Sequence, residues 1–491
     1  MTTRDRWEDV PEEERVRFLA RRAAAGRWPY GAQEGWQRGR TYQPMRPLVL
    51  AATAYESLGV MAERLLRLCV DACRRRASTA GELRDVMRDT RPFPLFEPDR
   101  PLAHAELLRI ARPDVLLSRG APQFVEFNTS ITLYGIPALD RMAAAYARLS
   151  SDGTLVAPTP VLQARSAQLA AAAYRRAAGR PLVLIPTWRD AAGQAARLGN
   201  RRALRAYLRP TVDAARRSGL DVVVEDLSRL STDADGRLCA GDKRVDLVFN
   251  WFTKIVDSAG GLEVIASALA AGTVELFFPE AMRLLSSKQV MAWLHEDLDR
   301  LAPADRVLVA DHVPWTAWLG PHQSSAVQES ILRRALRQRR DLVLKPAIGS
   351  SGNGVVFGVT VDDRGWHALL TEGTQRRTLI LQRRVVGDTV RMPFLDPTFG
   401  VRPPEPELPF VISPFIVGGR ICGVLIRHFG PEHDPRATVI NTRVGAVVNT
   451  VLLLREGHGD GRNQIDEHER LASANTEPVP EGEDSGPPTA Y

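Results

Sequence analysis

The stretch that most limits what this chain can fold into is Asp341-Leu342-Val343-Leu344-Lys345-Pro346-Ala347-Ile348-Gly349-Ser350-Ser351-Gly352-Asn353-Gly354-Val355-Val356-Phe357. An apolar strand ends near a lysine, a glycine–serine loop follows, and an apolar strand resumes. The loop lacks the G-K-[ST] of a P-loop, and no helix follows the glycines as in a dinucleotide-binding turn. What remains is a hairpin whose glycines let backbone N–H groups close over phosphates, with Lys345 to meet their charge. An ordinary glycine-rich turn has the same pattern, so the lysine carries the weight. Of 65 basic residues only Lys243, Lys254, Lys288 and Lys345 are lysines. Where arginine serves at every indifferent site, a retained lysine marks a need for a compact ammonium rather than a planar fork. Lys243, in the polar turn Gly241-Asp242-Lys243-Arg244, is the one expected to be incidental.

Composition removes several classes. The chain has 491 residues, 44% hydrophobic and 25% charged, which suits about three domains or one large composite fold. No run approaches the ~18 apolar residues of a membrane span. The first residues, Met1 to Arg6, run into charge, which predicts no secretory leader. Cys69, Cys73, Cys239 and Cys422 are too scattered for a disulfide framework, and nothing completes a zinc site with the first two. A soluble, reduced, cytoplasmic protein is expected. Residues 456–491 hold nine acids against two arginines, so the chain's formal +7 leaves +14 on the remainder. A basic body suits an anionic ligand. Its arginines, however, are dispersed on helix faces such as Arg74-Arg75-Arg76, without a nucleic-acid motif, and read as solvated faces.

Six segments follow along the chain. Residues 1–45 are polar and Trp-bearing and read as short helices and loops. Residues 46–150 carry amphipathic helices over 47–77 and 101–112, then strands around Val115–Leu117 and at Phe124–Asn128. Residues 151–275 alternate a helix (159–178), a strand (182–186), a helix (199–218), a strand (222–224) and a strand (245–252), the pattern of a parallel α/β sheet. Residues 276–390 form a second α/β block containing Lys288 and the hairpin. Residues 391–455 hold strand-like runs at 409–428 and 438–454, an antiparallel return to the core. Residues 456–491 read as a disordered acidic tail.

A second chemical signal is Arg112-Pro113-Asp114 followed by Glu126-Phe127-Asn128. Glu126 and Asn128 are two apart on a strand and share a face, with Val125 and Phe127 on the other. The turn at Gly120 can bring Asp114 alongside. Two carboxylates and an amide oxygen make a hard oxygen site suited to Mg²⁺ bound with phosphates, and Arg112 adds a fixed cation. A surface hairpin with polar ends is the bland alternative, and the Gly-Lys loop shifts the balance. Trp251 and Lys254, and more weakly Arg189, follow strands of the parallel sheet, where ligands bind beyond the carboxyl ends; Lys254 is a candidate for a substrate carboxylate. His428 points away from its neighbour Arg427 and reads as structural.

Together these islands, spanning roughly 105–455, resemble the ATP-grasp ligases. Arg112, Asp114, Glu126 and Asn128 resemble their R-x-D…E-x-N magnesium site. Lys345 with 349–354 resembles their phosphate-covering loop, Leu379-Ile380-Leu381-Gln382 the strand leading to the adenine hinge, and Lys288 in Leu284-Leu285-Ser286-Ser287-Lys288 the first nucleotide lysine. The magnesium residues come first instead of last. That permuted order resembles the glutathionylspermidine synthetase-like branch, as does Gly418-Gly419-Arg420-Ile421-Cys422-Gly423-Val424-Leu425-Ile426-Arg427, where Arg427 matches an arginine at the γ-phosphate. The segment Thr129-Ser130-Ile131-Thr132-Leu133-Tyr134-Gly135 departs from that branch's D-T-P-T-like continuation, so its acceptor substrates do not carry over.

The resemblance implies an α/β permuted ATP-grasp fold with a parallel α/β substrate-side domain and a β-rich flexible lid. It implies ATP and Mg²⁺ as cofactors. Metal ligands would be Asp114, Glu126 and Asn128; nucleotide contacts Lys288, Lys345, Gly349, Ser350, Ser351, Gly352, Asn353, Gly354 and Gln382; charge-balancing groups Arg112 and Arg427. The expected reaction joins a carboxylate to an amine through an acyl phosphate, with a phosphotransferase or a non-catalytic nucleotide binder as alternatives. The expected partners are small molecules, with a homodimer allowed, and neither nucleic acid nor membrane.

Overall fold

The computed structural model describes residues 12–17, 43–91, 93, 95–129, 133, 135–150, 153–188, 201–251, 261–349, 352–375, 378–396, 400–402, 406–431, 439–441 and 446–455. In chain order, strand β1 (Leu48–Ala51) leads into helix α1 (Ala52–Arg74). Strands β2 (Ile110–Ser118) and β3 (Ala121–Asn128) form a hairpin, turned by Arg119 and Gly120 at positive φ. Helices α2 (Ile136–Ala147) and α3 (Val161–Tyr174) follow. Next come β4 (Leu182–Thr187), α4 (Arg201–Arg217), β5 (Asp221–Asp226), β6 (Leu247–Val248) and β7 (Glu275–Leu276). Then α5 (Gln289–Glu296), β8 (Thr316–Leu319), β9 (Leu342–Pro346), β10 (Val356–Phe357), α6 (Asp363–Gln375) and β11 (Leu379–Arg383). Long strands β12 (Glu407–Val417), β13 (Arg420–Phe429) and β14 (Ala446–Leu454) end the described chain.

Three sheets organise these elements. The largest runs β1–β14–β13–β12–β2–β3, parallel between β1 and β14 and antiparallel elsewhere. Strands from both ends of the sequence thus lie side by side, so the return of residues 407–454 completes the sheet begun by β2 and β3. Residues 422–429 of β13 are all buried, as a strand covered on both faces requires. Helix α1 approaches it so closely that a Cβ on Gly59 would lie 2.6 Å from Ile421 Cγ2, where any larger side chain would push the helix off. The second sheet, β7–β6–β4–β5, is parallel throughout, as the strand–helix alternation implies. The third, β8–β11–β9–β10, is antiparallel and covers its own small core of Leu319, Leu342, Leu344, Trp366, Leu370, Leu379 and Leu381.

Several boundaries differ from expectation. Residues 47–77 do not form one helix: Leu48-Val49-Leu50 is drawn into β1 by pairing with β14, and the helix begins at Ala52. Residues 101–112 hold a short helix, His104–Leu107, and then β2, because Ala111 pairs with Ile416 across the sheet. Of the expected strand 245–252, the described residues 245–251 are strand only at Leu247–Val248. Asn250 instead exchanges two side-chain hydrogen bonds with the Phe278 backbone, donating to its carbonyl at 2.8 Å and accepting from its N–H at 2.9 Å. The amide thus imitates a ladder step after the strand stops. All four cysteines are buried and free. Among the described residues, no helix is long and apolar enough to cross a membrane. Residues 456–491, and all of 1–45 except 12–17 and 43–45, lie outside the described residues.

Candidate nucleotide and metal site

The hairpin β2–β3 sets the acidic face. Asp114 is directly opposite Glu126, and Arg112 is opposite Asn128. Facing residues in an antiparallel pair point to one side, and so do residues two apart on either strand. All four side chains therefore emerge from one face, while buried Phe127 points to the other. The register shift after Asp114 leaves Val125 without a facing partner in the ladder. Its carbonyl accepts a hydrogen bond from Lys345 Nζ at 3.3 Å.

Strands β12 and β13 extend this face. Ser413 Oγ donates to Asp114 Oδ1 at 2.9 Å, and Arg427 Nη2 lies 2.7 Å from Asp114 Oδ2 and 3.1 Å from Ser413 Oγ. Burial by itself would raise the Asp114 carboxyl. The charges of Arg427 and Arg112, with the two hydrogen bonds, outweigh it and hold the group below the usual carboxylate range. Arg112 also lies over the Phe415 ring, 5.7 Å from its centroid.

The antiparallel third sheet and the start of α5 bring two lysines to this face. Lys288, 7% exposed, places Nζ 3.0 Å from Glu126 Oε1 and donates to the Gly349 carbonyl at 3.3 Å. Its backbone N–H donates to the Ala347 carbonyl, which fixes the helix start against the end of β9. Lys345 donates to Gln382 Oε1 at 2.6 Å, and Gln382 Nε2 donates to Thr316 Oγ1 at 3.1 Å. Burial pushes the Lys345 ammonium down to about 8, against the raising charge of Glu126 and with the lowering charge of Lys288. The hairpin turns where expected, with Gly352 and Gly354 at φ +74° and +73°. A Cβ on Gly354 would lie 2.8 Å from Pro346 Cγ, so a side chain there meets both backbone strain and a clash.

The fold thus gathers Arg112, Asp114, Glu126, Asn128, Arg427, Lys288, Lys345 and the loop glycines. Gln382 is only 2% exposed and holds Lys345 in line. Trp251 is buried within its own sheet, where its indole N–H donates to the Pro186 carbonyl at 2.7 Å and its ring meets Trp188 at 5.3 Å. Arg189, Lys254, Ser350 and Ser351 lie outside the described residues. His428 is buried and forced down to about 4 by desolvation, as a structural histidine should be. Sequence reasoning missed Ser413 and Thr316. The signal for Ser413 was present: a lone hydroxyl inside the apolar run Phe410-Val411-Ile412-Ser413-Pro414-Phe415.

Among the described residues, no group of three or more His, Cys, Asp or Glu is placed to hold a metal ion. Asp114 and Glu126 supply two carboxylates, with Asn128 as an amide oxygen. That hard, incomplete donor set fits magnesium held jointly with phosphates, which keeps few protein ligands, and does not fit an all-protein cage.

No family model matches the chain, and no curated protein matches its sequence. A solved glutathione synthetase-like effector from Globodera pallida is similar over 89% of this chain and 97% of its own, at 11% identity and a TM-score of 0.54. A putative gamma-glutamylcysteine synthetase from Methylobacillus flagellatus covers 84% of this chain and 90% of its own, at 12% identity and a TM-score of 0.38. An ATP-grasp RimK-domain protein from Sphaerobacter thermophilus covers 60% and 97%, at 16% identity and a TM-score of 0.24. The last two likenesses are too loose to bear on the fold. With its parallel sheet, its antiparallel lysine-bearing sheet and its large mixed sheet, the chain has an ATP-grasp α/β fold.

Proposed function

We propose that this protein is an ATP-dependent ligase that joins a carboxylate to an amine and releases ADP and phosphate. One observation carries the reading. Two of the chain's four lysines, from a different sheet and a different helix, converge on the carboxylate face of β2–β3. A structural hairpin has no need of them.

A carboxylate is a poor acyl donor because its leaving group would be oxide. Transfer of the γ-phosphoryl group to it gives an acyl phosphate, which an amine displaces with loss of phosphate. The protein's task is to position the reactants and neutralise charge. In this reading Lys288 and Lys345 meet the phosphates nearer the nucleoside. Arg112 and Arg427 balance charge on the transferring phosphoryl. The 349–354 loop closes to exclude water from the activated acid. Magnesium, held by Asp114, Glu126 and Asn128, would supply Lewis-acid charge neutralisation. The order of the motifs favours the permuted, glutathionylspermidine synthetase-like arrangement, while the altered segment after Asn128 points to other small-molecule acids and amines.

The test is product analysis after incubation with ATP, Mg²⁺ and pooled carboxylates and amines. ADP, free phosphate and a new amide by mass spectrometry are expected. ADP with a stable phosphorylated product would instead identify a phosphotransferase on the same site.

A further inference from the structure

A groove of about 1220 Å³ lies between α2 and α4, and none of its lining residues belongs to the nucleotide and metal site. Five exposed arginines line it: Arg141 from α2 and Arg205, Arg209, Arg216 and Arg217 from α4. Positions 205, 209 and 216 recur at intervals of four and seven, so they share one helix face. Like charges gathered on one face repel unless a counter-charge meets them. The two carboxylates of the lining are already engaged. Asp140 accepts from the Val161 and Leu162 N–H groups, and Asp213 lies 3.5 Å from Arg209. Arg141, Arg205 and Arg217 have no ion-pair partner among the described residues. Leu162, Leu208 and Val212 add apolar contact surface to the same lining.

The complementary charge lies in the chain itself. Residues 456–491 hold nine acids against two arginines. In Ile465-Asp466-Glu467-His468-Glu469-Arg470-Leu471, three acids stand between two branched apolar residues, the mixture that an arginine-rimmed groove with apolar lining accepts. The other acidic run, Glu481-Gly482-Glu483-Asp484, is flanked by Pro480 and Ser485 and offers no such anchors. The described residues end at Arg455, whose N–H donates to the Thr154 carbonyl at 3.0 Å. From Thr154 to Val161, which Asp140 caps at the groove wall, is seven residues, so at most about 25 Å. The ten residues 456–465 span up to about 35 Å when extended, which covers that distance.

We infer that residues 465–471 dock in this groove of the same chain, with Asp466, Glu467 and Glu469 on the guanidiniums of α2 and α4. Each exposed ion pair is weak by itself. Several pairs act together, and the short tether holds the segment at about millimolar effective concentration, so the contact persists.

The experiment is carbodiimide coupling in the full chain carrying Arg205→Lys, which keeps the charge and supplies an amine. The reagent joins touching carboxylates and amines as amides, and peptide mapping by mass spectrometry locates the links. Lys243, exposed in a two-residue strand, reports chance encounters. A docking affinity of about 0.1 mM under a millimolar tether should couple Asp466, Glu467 or Glu469 to position 205 roughly 10-fold more than to Lys243. The excess should disappear in about 1 M NaCl, which screens exposed charges. It should also disappear when Arg141→Glu and Arg217→Glu are added, two exposed changes that leave the fold intact. Equal coupling at position 205 and at Lys243 overturns the docking. So does an excess that neither salt nor charge reversal lowers, since the arginines of the groove would then not hold the segment. Covalent dimers in place of a link within one chain also overturn it and make a second copy the occupant.

Discussion

At the scale of single residues, the four lysines make the sharpest comparison. Lys345, half-buried, ends between Gln382 and the Val125 carbonyl, whereas Lys243 is exposed in a two-residue strand. A guanidinium is wider than an ammonium and prefers a planar two-point partner. Steady-state kinetics should therefore show Lys345→Arg losing roughly 100-fold in turnover, the scale of one well-placed phosphate contact. Lys243→Arg should change almost nothing, and Lys288→Arg should behave like Lys345→Arg. Wild-type turnover in both site variants would mean the nucleotide site lies elsewhere.

The depressed Lys345 also predicts a pH dependence. Its folded value, about 8, lies below the ordinary lysine value, so the ammonium is present below about 8 and is lost as pH rises through it. Affinity for a nucleotide analogue should fall between pH 7 and 9.5 in the wild type. In Lys345→Arg the fall should vanish, because arginine keeps its proton. Stability moves the other way. Between about 8 and the ordinary lysine value the unfolded chain binds more protons than the folded one, so this group's contribution to stability rises with pH there.

At the scale of elements, local sequence leaves the start of α3 without a cap. Pro160 precedes α3 and offers no side-chain cap. Asp140, from α2, supplies it in trans, accepting from the Val161 and Leu162 N–H groups at 2.8 Å each. Burial pushes its carboxyl up to about 6 against the lowering effect of those two bonds. Asp140→Ala should cost about 1–2 kcal/mol in urea unfolding, the upper range for losing an N-cap, and Asp140→Asn less because one acceptor remains. The β9–β10 hairpin gives a second element-scale expectation. Amides of Gly352, Asn353 and Gly354 should gain hydrogen-exchange protection when ATP and Mg²⁺ bind. Equal exchange in both states would make the hairpin a structural turn.

Across the whole molecule, Arg109 links two of the sheets. It is 5% exposed and sits just before β2. It donates to the carbonyls of Leu276 and Phe277, pairs with Glu275 at 3.2 Å, and lies 5.2 Å from the Phe277 ring centroid. Burial lowers its pKa, with Glu275 opposing. Arg109→Met keeps the packing stem but removes every one of those bonds. It should cost about 2 kcal/mol in denaturant unfolding and separate one transition toward two, since two buried carbonyls lose their donor, while Glu275 keeps Arg100 and Arg176. An unchanged single transition would show that the sheets are joined by packing instead.

The parallel sheet within 180–280, the β9–β10 hairpin and the pairing of Asp114 with Glu126 were legible in the order of residues. In each, the deciding contacts are close in sequence: alternation of period two, helix period, glycine punctuation and a short turn. The scarcity of lysine also marked Lys288 and Lys345 without any structure. Features that depend on distant partners emerge only in the folded chain. Residues 48–51 are strand and not helix because β14, some 400 residues later, pairs with them. Ser413 matters because β12 lies beside β2, 299 positions away from Asp114 in the chain. The ion pairs of Lys288 with Glu126 and of Arg427 with Asp114 were likewise invisible. Local sequence ranks a residue by type, but whether a carboxylate meets a metal, a lysine or both depends on which buried charges the folded chain places within about 3 Å of it.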